Sequence, residues 1–481
     1  MKRRMRADRL SALPDEMLER ILSHLRSDEA VRTSVLSRRW RDVYAGVPVV
    51  DLVDPKGGRW NDVRVCFDQQ VTGAILCKGP GMPIRTFRLS ISNPPRDLLD
   101  QWIVSAVSSC VEEINVKLIY WFSSDHRLCP FASSGEGSAD FDSYDRGRYV
   151  RTQHHLFGCP TLRRLRLTNW TLDLPGSMSM VSLETLCLAR IMCPEGKLQQ
   201  LLSSCPRLAD LTLQECPSLR KITVISHHLR SFTMICCHHA RRIKLSSSCI
   251  RSLHYKGGLP RKSLFKLANH AGVAALTVEI CEGLSGKEPT EFAPATKLIK
   301  RCTKLAYLHL SLRPSMAYYS SLFKDAVPCL QHLRQLGLQC CLRNDRDIQS
   351  VAILLCDTQN LEVLSLFPLD SETPKEVHTE SDSEPENDGE DGADYSSQVT
   401  DSGFWPTPIN CLDDKLRRIN IGMYRGLQLE KMLAKFLLSK AAALEEFSVT
   451  LTAGCSQNKR KIAKKLRSWR SNHHTRVTVK R

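Results

Sequence analysis

Residues 208–216 read LADLTLQEC, and this stretch contains the pattern that determines the fold. Leu208, Leu211 and Leu213 follow the spacing L-x-x-L-x-L, and Cys216 closes the motif. In a strand, side chains alternate between the two faces, so Leu211 and Leu213 share one side. The cysteine supplies a small side chain that can be buried where the strand turns outward. The stretch therefore predicts a short strand whose leucine side faces a core.

The same spacing recurs along most of the chain. Further copies begin at Leu162, Leu183, Leu229, Ile250, Val273, Leu305, Leu333, Leu361, Leu416 and Leu444, and weaker ones at Ile84 and Val111. Spacing and consensus resemble those of leucine-rich repeats. One repeat cannot bury its own apolar face, so neighbours must stack. We predict an α/β fold, an irregular leucine-rich-repeat solenoid with a parallel inner sheet.

Repeat length predicts the outer wall of this array. Near the C-terminus the copies are 28 residues apart, as from Leu333 to Leu361, which leaves room for a helix of about three turns. The copies beginning at Leu208 and Leu229 are followed by the next after 21 residues. For these shorter units we expect short helical turns or irregular segments.

A different pattern occupies residues 8–52, DRLSALPDEMLERILSHLRSDEAVRTSVLSRRWRDVYAGVPVVDL. Pro14 suits a first helical turn, and Leu18, Ile21, Leu22 and Leu25 follow as one apolar stripe. Asp28 is a candidate cap for a second helix and Ser37 for a third. We predict three short helices. A core this thin is marginal alone, which favours docking on a partner or on the rest of the chain.

The residues of this stretch resemble an F-box, the version found in plant proteins of the F-box/FBD/LRR group. The resemblance rests on Leu13-Pro14, on the stripe to Leu25, and on residues 35–41, VLSRRWR. Residues 423–447 also resemble the C-terminal region of that group. The family implies a substrate receptor of an SCF-type ubiquitin ligase, whose F-box binds the Skp-family adaptor and, through it, cullin, while the repeats bind a target protein.

The resemblance also implies roles for individual residues. Five residues would lie at or just beneath the adaptor interface: Leu13, Pro14, Ile21, Leu22 and Leu25. Val31, Leu36 and Trp40 would hold the three helices together. From the strand alternation alone, outward side chains on the inner sheet should form a substrate face, which would include Arg166, Cys187, Thr212, Thr233, Thr277 and His309.

Composition divides the chain further. The net charge is +17, yet residues 370–401 carry twelve acidic residues and one lysine, so the remainder carries +28. We expect an F-box at 8–52, a linker and first degenerate repeats at 53–122, and a loop insert at 123–151. Leucine-rich repeats follow at 152–369, then an acidic disordered insert at 370–404, last FBD-like repeats at 405–458, and a basic tail at 459–481. In the tail, Ile462, Leu466 and Trp469 fall on one helix face, which favours a helix that caps the last repeat over a nuclear-import patch or an anion contact. Ser381 and Ser383 in the acidic insert are candidate phosphorylation sites.

Several function classes find no support in the sequence. The chain has no G-x-S-x-G, P-loop, H-E-x-x-H or G-x-G-x-x-G motif, so we expect neither catalysis nor a cofactor. The cluster Cys236-Cys237-His238-His239 is the best candidate for a metal site. However, Cys237 occupies a repeat's closing position and adjacent ligands converge poorly, so we predict no metal. No secretory signal or transmembrane-length apolar run is present, and we expect a nuclear and/or cytoplasmic protein without a membrane partner.

Two other functions remain open from the sequence. The chain could be a non-degradative leucine-rich-repeat scaffold or interaction protein with a silent F-box. A nucleic-acid-binding role driven by the basic body is a weaker alternative, because the basic segments lack the interleaved aromatic residues of a single-strand platform.

Overall fold

The computed structural model describes residues 10, 12–54, 61–78, 82–120, 129, 149–194, 196–261, 264–281, 291, 293–315, 330–342, 345–368, 409–452 and 458–481. The chain forms two compact units, one of Met1–Ile250 with Ser263–Ala268 and one of Arg251–Lys262 with Asn269–Arg481. Most of the loop insert at 123–151, all of the acidic insert at 370–404, and with it Ser381 and Ser383, lie outside the described residues.

The first unit begins with three helices and continues with parallel strands. Its described helices are α1 (Asp15–Leu22), α2 (Ser27–Arg32), α3 (Arg38–Gly46), α4 (Asn61–Leu76), α5 (Arg96–Ser108) and α6 (Lys197–Ser203). Its strands are β1 (Val49–Val53), β2 (Thr86–Ser92), β3 (Glu113–Ile119), β4 (Arg164–Thr168), β5 (Thr185–Ala189), β6 (Asp210–Gln214), β7 (Lys221–Ile225), β8 (Ser231–Ile235), β9 (Arg242–Ser246) and β11 (Phe265–Leu267). Strands β1, β2, β3, β4, β5, β6 and β8 pair in that order, all parallel.

The second unit consists of repeats alone. Its described helices are α7 (Ala293–Arg301), α8 (Asp345–Asp357), α9 (Asn410–Asp414), α10 (Gln428–Lys440) and α11 (Lys459–Ser468). Its strands are β10 (Ser252–Gly257), β12 (Ala275–Ile280), β13 (Tyr307–Ser315), β14 (Gln335–Cys341), β15 (Val363–Pro368), β16 (Arg418–Tyr424), β17 (Glu446–Leu451) and β18 (Arg476–Lys480). These strands also pair in chain order and in parallel. The predicted α/β fold with parallel inner sheets is confirmed.

Leucines in equivalent positions form the core of each unit. Leu211 lies directly beside Leu186 on the neighbouring strand, and Leu213 lies beside Leu188. All four are at most 1% exposed. Stacked parallel strands thus bury a continuous apolar ladder that no single repeat could bury.

The strands β6 and β8 each end in a tight turn that directs the closing cysteine inward. The residue after β6, Glu215, has a positive φ of 50°, and Cys236 after β8 has 52°. The next side chains, Cys216 and Cys237, are buried, and their thiols donate to the carbonyls of Leu188 at 3.5 Å and Leu213 at 3.6 Å. Burial raises the pKa of the Cys237 thiol. Because Cys237 points inward and is hydrogen-bonded, its place in the sequence is explained by packing and requires no metal.

The outer wall of the short repeats differs from the prediction. Where short helical turns or irregular segments were expected, β7, β9 and β11 form a second, three-stranded parallel sheet. Ile222 and Val224 alternate inward on β7, as Ile243 and Leu245 do on β9. Because a 21-residue repeat has no room for a helix, its outer segment stays extended and satisfies its backbone by pairing with the next repeat. The 28-residue repeats carry the helices α8 and α10, as predicted.

The C-terminal residues form more structure than a tail. Residues 459–481, predicted as a basic tail, contain the helix α11 and the strand β18, and β18 extends the sheet beside β17. Val477 pairs with Phe447, and both are buried. The helix expected from Ile462 and Leu466 is present as α11. The strand β18 was not predicted, because only Val477 and Val479 signal it among the basic residues.

Candidate functional site

The three N-terminal helices enclose a small core of their own. Leu18 and Leu22 of α1 pack against Trp40, Val43 and Tyr44 of α3, and all five side chains are buried. This core continues directly into β1, so the helices are not a separate module on a free linker.

Polar contacts fix the positions of the helices. Ser37 caps α3, because its Oγ accepts the Trp40 N–H at 3.3 Å. The Arg39 guanidinium donates to Asp15 Oδ1 at 2.8 Å, which ties the start of α3 to the start of α1. Asp28 does not cap α2, which begins at Ser27, and the Ser27 Oγ instead accepts the Asp51 N–H at 2.8 Å. That last bond attaches the helices to the first strand of the sheet.

Large apolar side chains are exposed on these helices. We call this set the apolar F-box surface: Leu10, Met17, Ile21, Leu25, Val31, Val35 and Leu36, which are 38% to 85% exposed. Isolated exposed aliphatics are common on protein surfaces, but seven within 27 residues are an unusual concentration of apolar exposure.

The sequence assigned some of these residues incorrectly. Val31 and Leu36 were predicted to hold the helices together, but they are 43% and 64% exposed. The helix α2 is only six residues long and turns Ala30 inward instead of Val31, and Leu36 lies between the helices, just before the cap of α3. Trp40 is 5% exposed and lies in the core.

The residues predicted for the adaptor interface fall into two groups. Pro14, Ile21 and Leu25 are exposed. Leu22 is 2% exposed, and Leu13 packs partly buried against the core, so both lie beneath the surface. The apolar stripe that begins on α1 therefore has a buried side, with Leu18 and Leu22, and an exposed side, with Ile21 and Leu25.

A second candidate site lies on the inner sheet of the first unit. One outward position from each strand falls into a single row across the sheet. In register order this row is Asp51, Arg88, Asn115, Arg166, Cys187, Thr212 and Thr233. The predicted substrate-face residues Arg166, Cys187, Thr212 and Thr233 are thus direct neighbours.

Part of this row lines an open groove of about 560 Å³. Its lining includes Asp51, Arg88, Asn115, Lys117 and Arg166. A groove with a row of polar and charged groups on a rigid sheet suits the recognition of an extended polypeptide.

The charges in the groove are only partly neutralised. Arg88 lies between two carboxylates, with Nε 2.9 Å from Glu113 Oε1 and Nη1 3.5 Å from Asp51 Oδ2. Burial acts to raise the pKa of Glu113, but the hydrogen bonds and charges of Arg88 and Arg164 outweigh it and hold that pKa below its usual value. By contrast, no carboxylate of the described residues lies within ion-pair distance of Arg166 or Lys117. Within the part of the chain that the structure describes, the groove therefore presents two cations without a carboxylate partner, and we call them its free cations.

The corresponding row of the second unit carries a cluster of titratable groups. His254, Thr277 and His309 are neighbours in register, which places both predicted residues of this unit together. His254 Nε2 lies 3.0 Å and Lys256 Nζ lies 2.9 Å from the carboxylate of Glu279. The hydrogen bond with His254, then that with Lys256, outweigh burial and lower the pKa of Glu279 to about 2.

Sequence reasoning missed several residues of the first groove, and Arg88, Asn115 and Lys117 are among them. These three belong to the weak repeats at Ile84 and Val111, whose outward positions had not been assigned to the substrate face. Arg88 and Asn115 are the middle residues of the L-x-L motif in those repeats. Their outward position could therefore have been predicted from the strand alternation.

Two family models match the chain. Residues 10–43 match the F-box domain model. Residues 140–265 match a model described as the LRR repeats of FBD-associated F-box protein At5g56370. The first match covers the three helices and the second covers strands β4 to β10 and part of β11.

Curated relatives from Arabidopsis thaliana are named as F-box proteins. The chain is 30% identical to FBD-associated F-box protein At5g38590 over 47% of this chain and 50% of the relative. It is 24% identical to FBD-associated F-box protein At5g60610 over 92% of this chain and the whole relative, and 23% identical to F-box protein At3g59000 over 92% and 86%. The resemblance to plant F-box proteins with leucine-rich repeats is thereby confirmed.

Proposed function

We propose that this chain, with its F-box and its leucine-rich repeats, is the substrate-recognition subunit of an SCF-type cullin–RING ubiquitin ligase. The observation that carries the proposal is the apolar F-box surface within the segment that matches the F-box model. A partner of complementary shape would remove this surface from water, which at roughly 25 cal/mol per Å² is a sufficient driving force for docking. The Skp-family adaptor is the partner that an F-box implies.

The repeats would hold the target protein. In the first unit, the groove offers the free cations Arg166 and Lys117 beside the polar Asn115. Opposite charge on a target would speed association and fix its register. We therefore propose that the target presents an acidic segment to this groove.

The mechanism is proximity. Adaptor and target would be bound by the same chain, so the target's lysines would have a high effective concentration near the ubiquitin-loaded enzyme held by cullin. In this mechanism the chain contributes no catalytic residue. The proposed partners act in the nucleus and/or cytoplasm, and that is the location we propose. Among the described helices, none has both the length and the apolar character required to cross a bilayer.

Co-purification of the full chain with a Skp-family adaptor tests the proposal. Leu36→Glu is the sharpest variant, because Leu36 is 64% exposed and its replacement should leave the helical core intact. We expect it to weaken adaptor binding by about 2 kcal/mol or more, the cost typical of an interface hot spot. Leu13→Ala with Pro14→Ala is less specific, because Leu13 also packs on the core.

Ile225→Glu is the matched control. Ile225 is 67% exposed on β7, outside the three helices, so its replacement adds the same charge elsewhere and should leave adaptor binding unchanged. A folded parent chain that fails to bind the adaptor would overturn the proposal. That result would favour the alternative function, a non-degradative scaffold with a silent F-box.

A further inference from the structure

The last repeat of the second unit contains a basic cavity that no function described above uses. The cavity has a volume of about 540 Å³ and lies between α10 and α11. Ile462 and Leu466 of α11 are buried and form its apolar floor. Tyr424 and Trp469 provide aromatic walls.

Three lysines line this cavity. Lys461 and Lys465 are one helical turn apart on α11, so they lie on the same side of that helix. Lys431 reaches the cavity from α10. Lys465 Nζ also lies 5.7 Å from the centre of the Trp469 ring, which keeps this ammonium beside the aromatic wall.

Among the described residues, these lysines have no carboxylate within ion-pair distance. Within residues 409–452 and 458–481, no ion pair involves Lys431, Lys461 or Lys465. The nearest acidic residue in sequence, Glu430, is buried and accepts backbone N–H groups of Arg425, Gly426 and Leu427 at 2.8, 2.8 and 3.2 Å. Residues 459–481 contain no carboxylate side chain at all. Three like charges around one cavity are mutually repulsive unless an anion neutralises them.

From this geometry we propose that the cavity is a binding site for a compact phosphate-bearing anion with two or more phosphoryl groups. Lysine ammonium groups bind phosphate oxygens through strong charge-assisted hydrogen bonds. The cavity is large enough for a small polyphosphate, and its lysines converge on one space from two helices. An anion held there would join α10 to α11 and so would stabilise the final repeat.

The proposal does not depend on the ligase function, and its test needs no partner protein. The full chain is titrated with inorganic triphosphate, with sulfate at equal ionic strength as a control for general salt effects. Binding is followed by tryptophan fluorescence, to which Trp469 contributes, and by the shift in melting temperature. A ligand that binds only the folded state raises this temperature increasingly as its concentration exceeds the dissociation constant.

Two double variants of α11 distinguish binding in the cavity from non-specific attraction to a basic helix. Both remove the same amount of charge. Lys461→Ala with Lys465→Ala removes two cavity lysines, and we expect roughly a tenfold or greater loss of triphosphate affinity. Lys459→Ala with Lys464→Ala removes two exposed lysines that do not line the cavity, and we expect less than a threefold change.

The outcomes are distinct. Triphosphate binding that is lost only in the first variant supports the site. Equal losses in both variants, or an equal effect of sulfate, would show non-specific attraction to a basic helix and would overturn the proposal. The absence of any binding to the folded parent chain would overturn it as well.

Discussion

Glu279 shows how a single residue on the inner face couples charge to stability. Its carboxylate is held by His254 and Lys256, and its pKa is about 2 in the folded chain against an ordinary value of 4.5. A lowered pKa in the folded state means that the carboxylate stabilises the fold above pH 4.5. This contribution is lost as the pH falls from about 4.5 towards 2.

We predict that Glu279→Gln lowers the free energy of unfolding by about 1 kcal/mol at pH 6, a value reduced by the partial solvent exposure of the cluster. The deficit should fall to less than half by pH 3, because the parent carboxylate is then partly protonated in the unfolded chain and loses its advantage. Urea unfolding at pH 6, 4 and 3 measures the difference. Glu445→Gln, at an exposed pair with Arg417, is the control and should change stability little. A deficit that does not vary with pH would contradict the assignment.

At the level of residues, the sequence predicted which positions face outward on the strands better than which positions fill the helical core. Strand alternation has a period of two, so Arg166 and Thr212 could be placed from their neighbours alone. In short helices, the inward side depends on where each helix begins. The start of α2 at Ser27 turned Ala30 inward and Val31 outward, and no local pattern indicated this.

Elements differ in how strongly the sequence specifies them. The inner strands from β2 to β17 were predictable because an L-x-L motif marks them, whereas β1 and β18 lay outside the predicted repeats. The outer strands β7 and β9 were not predictable, because they form only when adjacent short repeats place extended segments side by side. The final helix was predictable because Ile462 and Leu466 fall on one helix face, whereas the strand β18 was not predicted, because Val477 and Val479 stand among basic residues.

The helix α11 and strand β18 act together as the C-terminal cap of the sheet. Leu466 is fully buried beneath α11, so we predict that Leu466→Ala destabilises the second unit by about 2–5 kcal/mol through lost burial and a residual cavity. Urea unfolding followed by tryptophan fluorescence measures this change. Lys464→Ala, at an exposed position of the same helix, should stay within about 0.5 kcal/mol of the parent chain. If the two variants were equally stable, α11 would be a peripheral attachment and not a cap.

For the whole molecule, the proposed function requires two surfaces that act independently. Both lie in the first unit, the apolar F-box surface on the three helices and the groove on the inner sheet. Leu36 and Arg166 are exposed, and neither is part of a hydrophobic core. A change at one surface should therefore leave the fold and the other surface intact.

We predict a clean separation of functions between two single variants. Leu36→Glu should lose the adaptor and cullin but retain the proteins that bind the repeats, and these should accumulate because they are bound without being ubiquitinated. Arg166→Glu should retain the adaptor and lose the acidic target, because the reversed charge repels the segment that the free arginine attracts. Quantitative mass spectrometry of proteins purified with each tagged chain from plant cells measures both effects.

Arg207→Glu provides the charge-matched control for the second variant. Arg207 is exposed just before β6 and does not line the groove, so its reversal should leave both partner sets unchanged. If Arg166→Glu and Arg207→Glu had the same effect, target binding would depend on the overall charge of +17 and not on the groove. If Leu36→Glu lost both partner sets, the F-box and the repeats would form one interface, and the proximity mechanism would no longer explain why the chain carries both.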